Sequence, residues 1–270
     1  MIEKFHLDAW RQIAPWLTLA QVEQDLVISR ALVELYSHPK VSASLVFRGG
    51  TALNKLFLPA AARYSEDIDL VQHKSEPIGE TLSVIRSVLD NWLGTPKRKL
   101  TERSAKLIYR YQSTANLPAK LKIEINTTEH YHIFDHIKKP FNVNSDWFNG
   151  KTIVTTYHLD ELMGSKLRAL YQRRKGRDLF DIWLMLHNDM IDVKRVIEVF
   201  LGHSQELNQV ITRAMFEESL LEKSEQEDFR NEVVNLITPE TKWSFEEAMH
   251  RVMNEIVPHL PGESWRNKNQ

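Results

Sequence analysis

The chain contains no cysteine. Disulfides, thiolate nucleophiles and zinc–cysteine sites are thereby excluded. It also lacks any run of the roughly 18–20 apolar residues needed to cross a bilayer, so no membrane association is expected. The opening MIEKFHLDAW is acidic, aromatic and mixed, unlike a secretory signal, and a cytoplasmic location is expected. Neither sign of charge prevails: 35 Lys and Arg stand against 36 Asp and Glu, a formal net charge of −1. A broad electrostatic grip on duplex DNA, which needs many Lys/Arg–phosphate contacts, is not expected, though local basic patches are compatible with this balance. No helix-turn-helix pattern stands out either, which argues against a DNA-binding regulator. There is no internal repeat and no low-complexity tract. The final ESWRNKNQ reads as a loose tail.

What is present is an ordinary globular composition. At 270 residues and 42% hydrophobic content the chain can bury a full core, as one large domain or two modest ones. Residues 20–36 recur at spacings of three and four and predict an amphipathic helix, ended by His38, Pro39 and Lys40. SLVFR at 44–48 reads as a short buried strand, Gly49 and Gly50 as a turn, and Thr51 to Phe57 as a helix stopped by Pro59. DIDLV at 67–71 alternates polar and apolar, the period of a strand. A helix over 76–93 and strands over 105–112, 119–126 and 151–156 follow. From about residue 158 the pattern is helical throughout. The expected architecture is α+β: a mixed sheet with flanking helices over 1–157, then a helical bundle over 158–270.

Four segments carry chemistry. VFRGGTALNKLF (46–57) places a glycine pair and Thr51 between a strand and a helix, where backbone N–H groups and the positive helix end can meet phosphate oxygens. Such a turn is equally a common way to begin a helix. In RYSEDIDLV (63–71), Asp67 and Asp69 lie two apart on a strand, so both carboxylates leave one face. Two anions side by side repel, and Mg²⁺ or Mn²⁺ with its preference for oxygen ligands and substrate phosphates removes that conflict. Ile68 and Leu70 bury the opposite face. Glu124, on the polar face of AKLKIEIN, is a candidate third carboxylate or an exposed residue paired with Lys120 or Lys122. In the helical segment 158–186, Lys166 falls inside an apolar stripe, where a lysine either snorkels out or meets a buried anion such as a nucleotide phosphate. Gly176 interrupts that helix, and Asp178 is a plausible N-cap of the next, with Asp181 in its first turn. Two basic runs remain, Arg173, Arg174, Lys175 and Arg177, and Lys97, Arg98, Lys99, Arg103, Lys106 and Arg110; each is either a solvated face or a contact for RNA phosphates.

FRGGTALNKLF, RYSEDIDL, KLKIEIN and KLRALYQRRKGRDLFDIW, in that order over roughly residues 20–190, resemble the AbiEii/AbiGii-type nucleotidyltransferase toxins of bacteria, which are similar in fold to the DNA polymerase β-like nucleotidyltransferases. The resemblance implies a metal-dependent nucleotidyltransferase with NTP as substrate and Mg²⁺ or Mn²⁺ as cofactor. Gly49, Gly50 and Thr51 match the triphosphate motif, Asp67 and Asp69 the metal pair, and Arg63 and Ser65 an R-x-S lead-in near the nucleotide. Glu124 is a weaker match. Lys166 matches the lysine of the helical motif, and Asp178 or Asp181 its aspartate, so that the helical domain adds to the active site. It further implies the toxin half of a toxin–antitoxin or abortive-infection pair, a cognate antitoxin encoded nearby, and transfer to an RNA acceptor such as the tRNA 3′ end; a protein or aminoglycoside acceptor, or a catalytically idle binding subunit, would preserve much of the same pattern. The gap from Thr51 to Asp67 is longer than in general nucleotidyltransferases, and Arg48 stands where the family often has Lys.

Overall fold

The computed structural model describes residues 2–265; the tail expected at the C-terminus falls largely at 266–270, outside the described residues. The chain divides into two compact units. The first runs to His130 and includes His136–Tyr157 and Leu236–Pro239; the second holds Tyr131–Asp135, His158–Asn235 and the described residues from Glu240 onward.

The first unit contains α1 (Lys4–Trp10), α2 (Leu19–Ser37), α3 (Pro39–Ser44), β1 (Leu45–Arg48), α4 (Gly49–Leu56), β2 (Asp67–Gln72), α5 (Gly79–Leu93), β3 (Lys97–Leu100), β4 (Ser104–Gln112), β5 (Pro118–Asn126), β6 (Ile137–Asn144) and β7 (Asn149–Thr156). The strands form one mixed sheet in the order β3-β4-β5-β2-β1-β7-β6. β2 runs parallel to β5 and β7 parallel to β1; the other neighbours are antiparallel.

Alternation along the strands sends Ile68, Leu70, Leu107, Tyr109, Leu121, Ile123 and Ile125 into one core with Val22, Leu26, Ile85 and Leu89 of α2 and α5. α2 opens with a capping box, in which Thr18 accepts from Gln21 N while the Gln21 side chain accepts from Thr18 N. It is less amphipathic than its spacing suggests, because even Glu23, Gln24 and Asp25 are buried. Asp25 accepts both indole N–H groups of Trp10 and Trp16, at 2.9 and 3.0 Å, and the Lys55 amine at 2.6 Å. This buried carboxylate ties α2 to α4. The Pro39 that ends α2 also begins α3, sitting at its first turn where no N–H is needed.

Two strands escaped the sequence pattern. β3 is KRKL, exposed at every position, and β6 carries Pro140. Both lie at sheet edges, where charge and proline are tolerated and a buried stripe is not required.

The second unit contains α6 (Leu159–Gln172), α7 (Gly176–His187), α8 (Val193–Glu206), α9 (Arg213–Ser224), α10 (Glu227–Asn231) and α11 (Phe245–Arg251), the last continued by a π-turn, Val252–Ile256. Gly164 lets α6 and α8 approach closely: a Cβ there would stand 2.3 Å from Val199 Cγ1. Among the described residues no helix is long and apolar enough to cross a membrane.

Candidate active site

β1 ends at Arg48 and turns directly into α4. Gly49 makes that turn with φ +83°, a conformation that side chains rarely adopt. A Cβ on Gly49 would lie 2.7 Å from Asp69 Oδ2, so the turn and the carboxylate are in immediate contact. Thr51, in the first turn of α4, is 2% exposed; its hydroxyl donates to Asp67 O at 2.6 Å and lies 2.8 Å from Ser65 Oγ. Thr51 and Ser65 thus stitch the glycine turn to the start of β2. Arg63 is 3% exposed, and its guanidinium fills the space beside Gly50, where a Cβ would meet Nη2. Arg63, expected near the nucleotide, thus packs directly against the turn.

Asp67 and Asp69 lie on the same face of β2, with Ile68 and Leu70 buried on the other. The antiparallel pairing to β1 puts Arg48 opposite Asp69, and the parallel pairing to β5 puts Lys122 opposite Asp67 and Glu124 opposite Asp69. Lys122 Nζ bonds Asp67 Oδ2 at 2.7 Å and lies 3.5 Å from Glu124 Oε2. Burial works against the charge on Lys122, but its carboxylate neighbours, Asp67 first, outweigh that and raise its pKa. Among the described residues no hydrogen bond or ion pair reaches the Asp69 carboxylate. Burial, and then the charge of Asp67, push its pKa above the ordinary value; Arg48 and Lys122 oppose this from a distance. Arg48 itself is paired with Glu129 at 3.0 Å.

Glu124 is the expectation the geometry modifies most. It bonds Lys106 at 2.7 Å, and although burial would raise its pKa, Lys106 and Lys122 hold it below the usual carboxylate value. A general base needs the opposite shift. Among the described residues no group of three or more His, Asp or Glu side chains is gathered to hold an ion. Asp67 and Asp69 nevertheless fit a hard divalent cation: they offer oxygen donors only, the half-buried Asp69 has no partner among the described residues, and Mg²⁺ characteristically uses one or two carboxylates and completes its shell with substrate phosphates and water.

In the helical unit, Lys166, expected either to snorkel out or to meet a buried anion, lies against buried carboxylates of the protein itself. Its Nζ lies 2.8 Å from Asp181 Oδ2 and 3.2 Å from Asp178 Oδ1. Arg173 grips the same Asp178 with two hydrogen bonds of 2.7 and 2.9 Å. Burial of Asp178 raises its pKa, but Lys166 and Arg173 more than offset this and it falls below the ordinary value. Asp178 is not the N-cap of α7; Lys175 is, and Asp178 is the third helical residue with Asp181 one turn further on. The basic run at 173–177 is likewise answered by protein: besides Arg173, Arg174 faces Asp228 at 3.4 Å, and Lys175 and Arg177 face Glu232 at 3.5 and 3.6 Å.

A mixed sheet that places a glycine turn against a D-x-D strand has a nucleotidyltransferase-like fold. The chain aligns with MenT4, a nucleotidyltransferase toxin of Mycobacterium tuberculosis H37Rv, with a TM-score of 0.69 and 17% identity over 94% of this chain and 90% of that one. A candidate nucleotidyltransferase of H. pylori aligns with a TM-score of 0.50 and 19% identity over 87% and 91% of the two chains. No functionally curated protein matches the chain in sequence. The model of the nucleotidyl transferase AbiEii toxin family, of type IV toxin–antitoxin systems, matches residues 30–251, and the chain belongs to that family. Membership makes it a nucleotidyltransferase-family toxin and implies an antitoxin partner.

Proposed function

We propose that the protein transfers a nucleotide from an NTP to a hydroxyl at the 3′ end of an RNA, with tRNA as the acceptor, and thereby blocks translation. The observation that carries the reading is the contact between the Gly49 turn and the half-buried Asp69 carboxylate, which among the described residues no cation pairs with. Asp67 and Asp69 would hold Mg²⁺ or Mn²⁺. A divalent ion bound there supplies charge neutralisation of the triphosphate and orientation of the attacking hydroxyl.

The remaining work falls to the chain. The Gly49–Thr51 backbone, at the positive end of α4, receives the charge that builds on the departing pyrophosphate. Thr51 and Ser65 fix that turn relative to β2, and Arg63 supports it from below. Lys122, beside Asp67, keeps the carboxylates from repelling one another before substrate arrives. From the helical unit we assign Lys166 to the family's lysine and retain both Asp178 and Asp181 for its aspartate, since all three share one buried cluster. Catalysis on this account is positioning and electrostatics rather than covalent chemistry.

The test is incubation with each labelled NTP in the presence of total RNA, total protein or an aminoglycoside. Label appearing at RNA 3′ ends supports the proposal. Label only on protein or antibiotic contradicts the acceptor, and no label on any of them contradicts the activity.

A further inference from the structure

The two basic runs in the sequence end differently in the fold. Arg173–Arg177 is met by carboxylates at every basic position. The run at 97–110 is not. The register of β3, β4 and β5 sorts it by face: Lys99 stands opposite Lys106, which stands opposite Glu124, which stands opposite Asp69. In the next row Lys97 faces Ile108, which faces Lys122, which faces Asp67. Arg110 faces Lys120 one row beyond. Cross-strand partners share a face, so six cations, Lys97, Lys99, Lys106, Arg110, Lys120 and Lys122, lie on the face that carries Asp67 and Asp69.

The opposite face of these strands is the core side, with Leu107, Tyr109, Leu121 and Ile123 fully buried. Arg98, opposite Leu107, therefore does not belong to the cationic face. Lys106 and Lys122 are bonded to Glu124 and Asp67. Lys97, Lys99, Arg110 and Lys120 are all exposed, and among the described residues none of them makes an ion pair. Neighbouring positions on such a face are roughly 5–7 Å apart. The result is a cationic face in which the lysines nearest the carboxylate pair, Lys106 and Lys122, are neutralised, while Lys97 and Lys99 toward the β3 edge and Arg110 and Lys120 one row beyond are not.

We propose that this face binds the phosphate backbone of the RNA acceptor and leads its 3′ end to Asp67 and Asp69. The inference rests on the RNA-acceptor reading above. Charge complementarity selects the occupant: the four free cations share the sheet face of the site where a nucleic-acid end must react, and single-stranded backbone offers phosphates at a comparable spacing.

The experiment measures binding of fluorescently labelled, unfractionated tRNA by anisotropy, with chelator and without NTP, so that it does not depend on transfer. The wild type is compared with the K97Q/K99Q/R110Q/K120Q variant across a salt series. All four positions are exposed, and melting temperature reports whether the variant is folded; the R110Q and K120Q single variants serve if the quadruple one is not. The expected result is a loss of tRNA affinity on the order of a hundredfold near physiological salt, with the slope of log K against log salt reduced by about three, while NTP affinity is retained. Unchanged affinity and slope overturn the inference, as does a wild type that binds no tRNA or a variant whose NTP affinity alone falls. A wild type that binds tRNA through this face but transfers nothing to it upholds the face and overturns the transfer reading. Transfer to tRNA with binding indifferent to the four cations does the reverse.

Discussion

Gly49 and Asp69 occupy each other's space: the position a Gly49 Cβ would take lies 2.7 Å from Asp69 Oδ2. The turn that begins α4 and the carboxylate of β2 are therefore one unit. Gly49→Ala meets two obstacles, this contact and a φ of +83°. It should destabilise the protein by about 1–3 kcal/mol and displace Asp69, with a larger loss of nucleotide transfer than the stability change accounts for. Gly79, with no atom within 4 Å of an added Cβ, is the control, and Gly79→Ala should leave both properties nearly unchanged. Urea denaturation and a transfer assay on the two variants check this.

Asp25 holds α4 to α2 through Lys55 and receives two indole N–H groups. Its side chain is 4% exposed and that of Lys55 is 14% exposed. Removing the acid in Asp25→Ala strands a largely buried cation and two indole donors, and should cost about 3–5 kcal/mol. Chemical denaturation measures it. A cost below about 1 kcal/mol would show that water replaces the carboxylate freely.

Lys166 has a structural duty that must be measured before any catalytic one. Lys166→Met leaves Asp178 and Asp181 with less cationic charge in a site where their own side chains are at most 1% exposed. A loss of about 3–5 kcal/mol is expected. Adding Asp181→Asn should recover part of it, because the second change removes the anion left uncompensated. Equal stability of the single and double variants would contradict the ion-pair account.

Lys223 donates to Leu170 O and Tyr171 O at 2.6 Å each, at the C-terminal end of α6. Burial lowers its pKa from 10.5 to about 8. Between those values the unfolded chain binds a proton that the folded chain does not, so stability should rise with pH from about 8 to 10.5 through this residue. Below about 8 both states are protonated and the contribution is flat. The difference in unfolding free energy between wild type and Lys223→Met, followed across this window, should grow in favour of the wild type as pH rises. A difference independent of pH would show that Lys223 titrates normally.

The parts of the site that the sequence makes legible are those set by local rules. Two aspartates at strand spacing share a face whatever the tertiary fold, and a Gly-Gly between strand and helix is a turn on its own evidence. Lys166 in an apolar stripe reads as a lysine that either snorkels out or meets an anion, and that its partners are Asp178 and Asp181 depends on how α6 packs on α7. Arg63 reads in the sequence as a residue near the nucleotide, but that its guanidinium fills the space beside Gly50 depends on tertiary packing. The partner of Asp67 is Lys122, a contact created by the register of β2 on β5 and invisible without it. β3 and β6 went unseen because edge strands need no apolar stripe. The two basic runs are alike in composition, and their difference lies in Asp228 and Glu232, which return from far along the chain to neutralise one of them.

The most direct measurement is Mn²⁺ binding in the presence of a non-hydrolysable NTP analogue, by electron paramagnetic resonance, for wild type and Asp69→Asn. Asparagine keeps the shape of the side chain and removes a charge that burial and Asp67 disfavour, so the variant should melt no lower than wild type. The account expects the wild type to bind the ion together with the nucleotide and the variant to lose that binding. A folded Asp69→Asn protein that binds Mn²⁺ and nucleotide as tightly as wild type would contradict it.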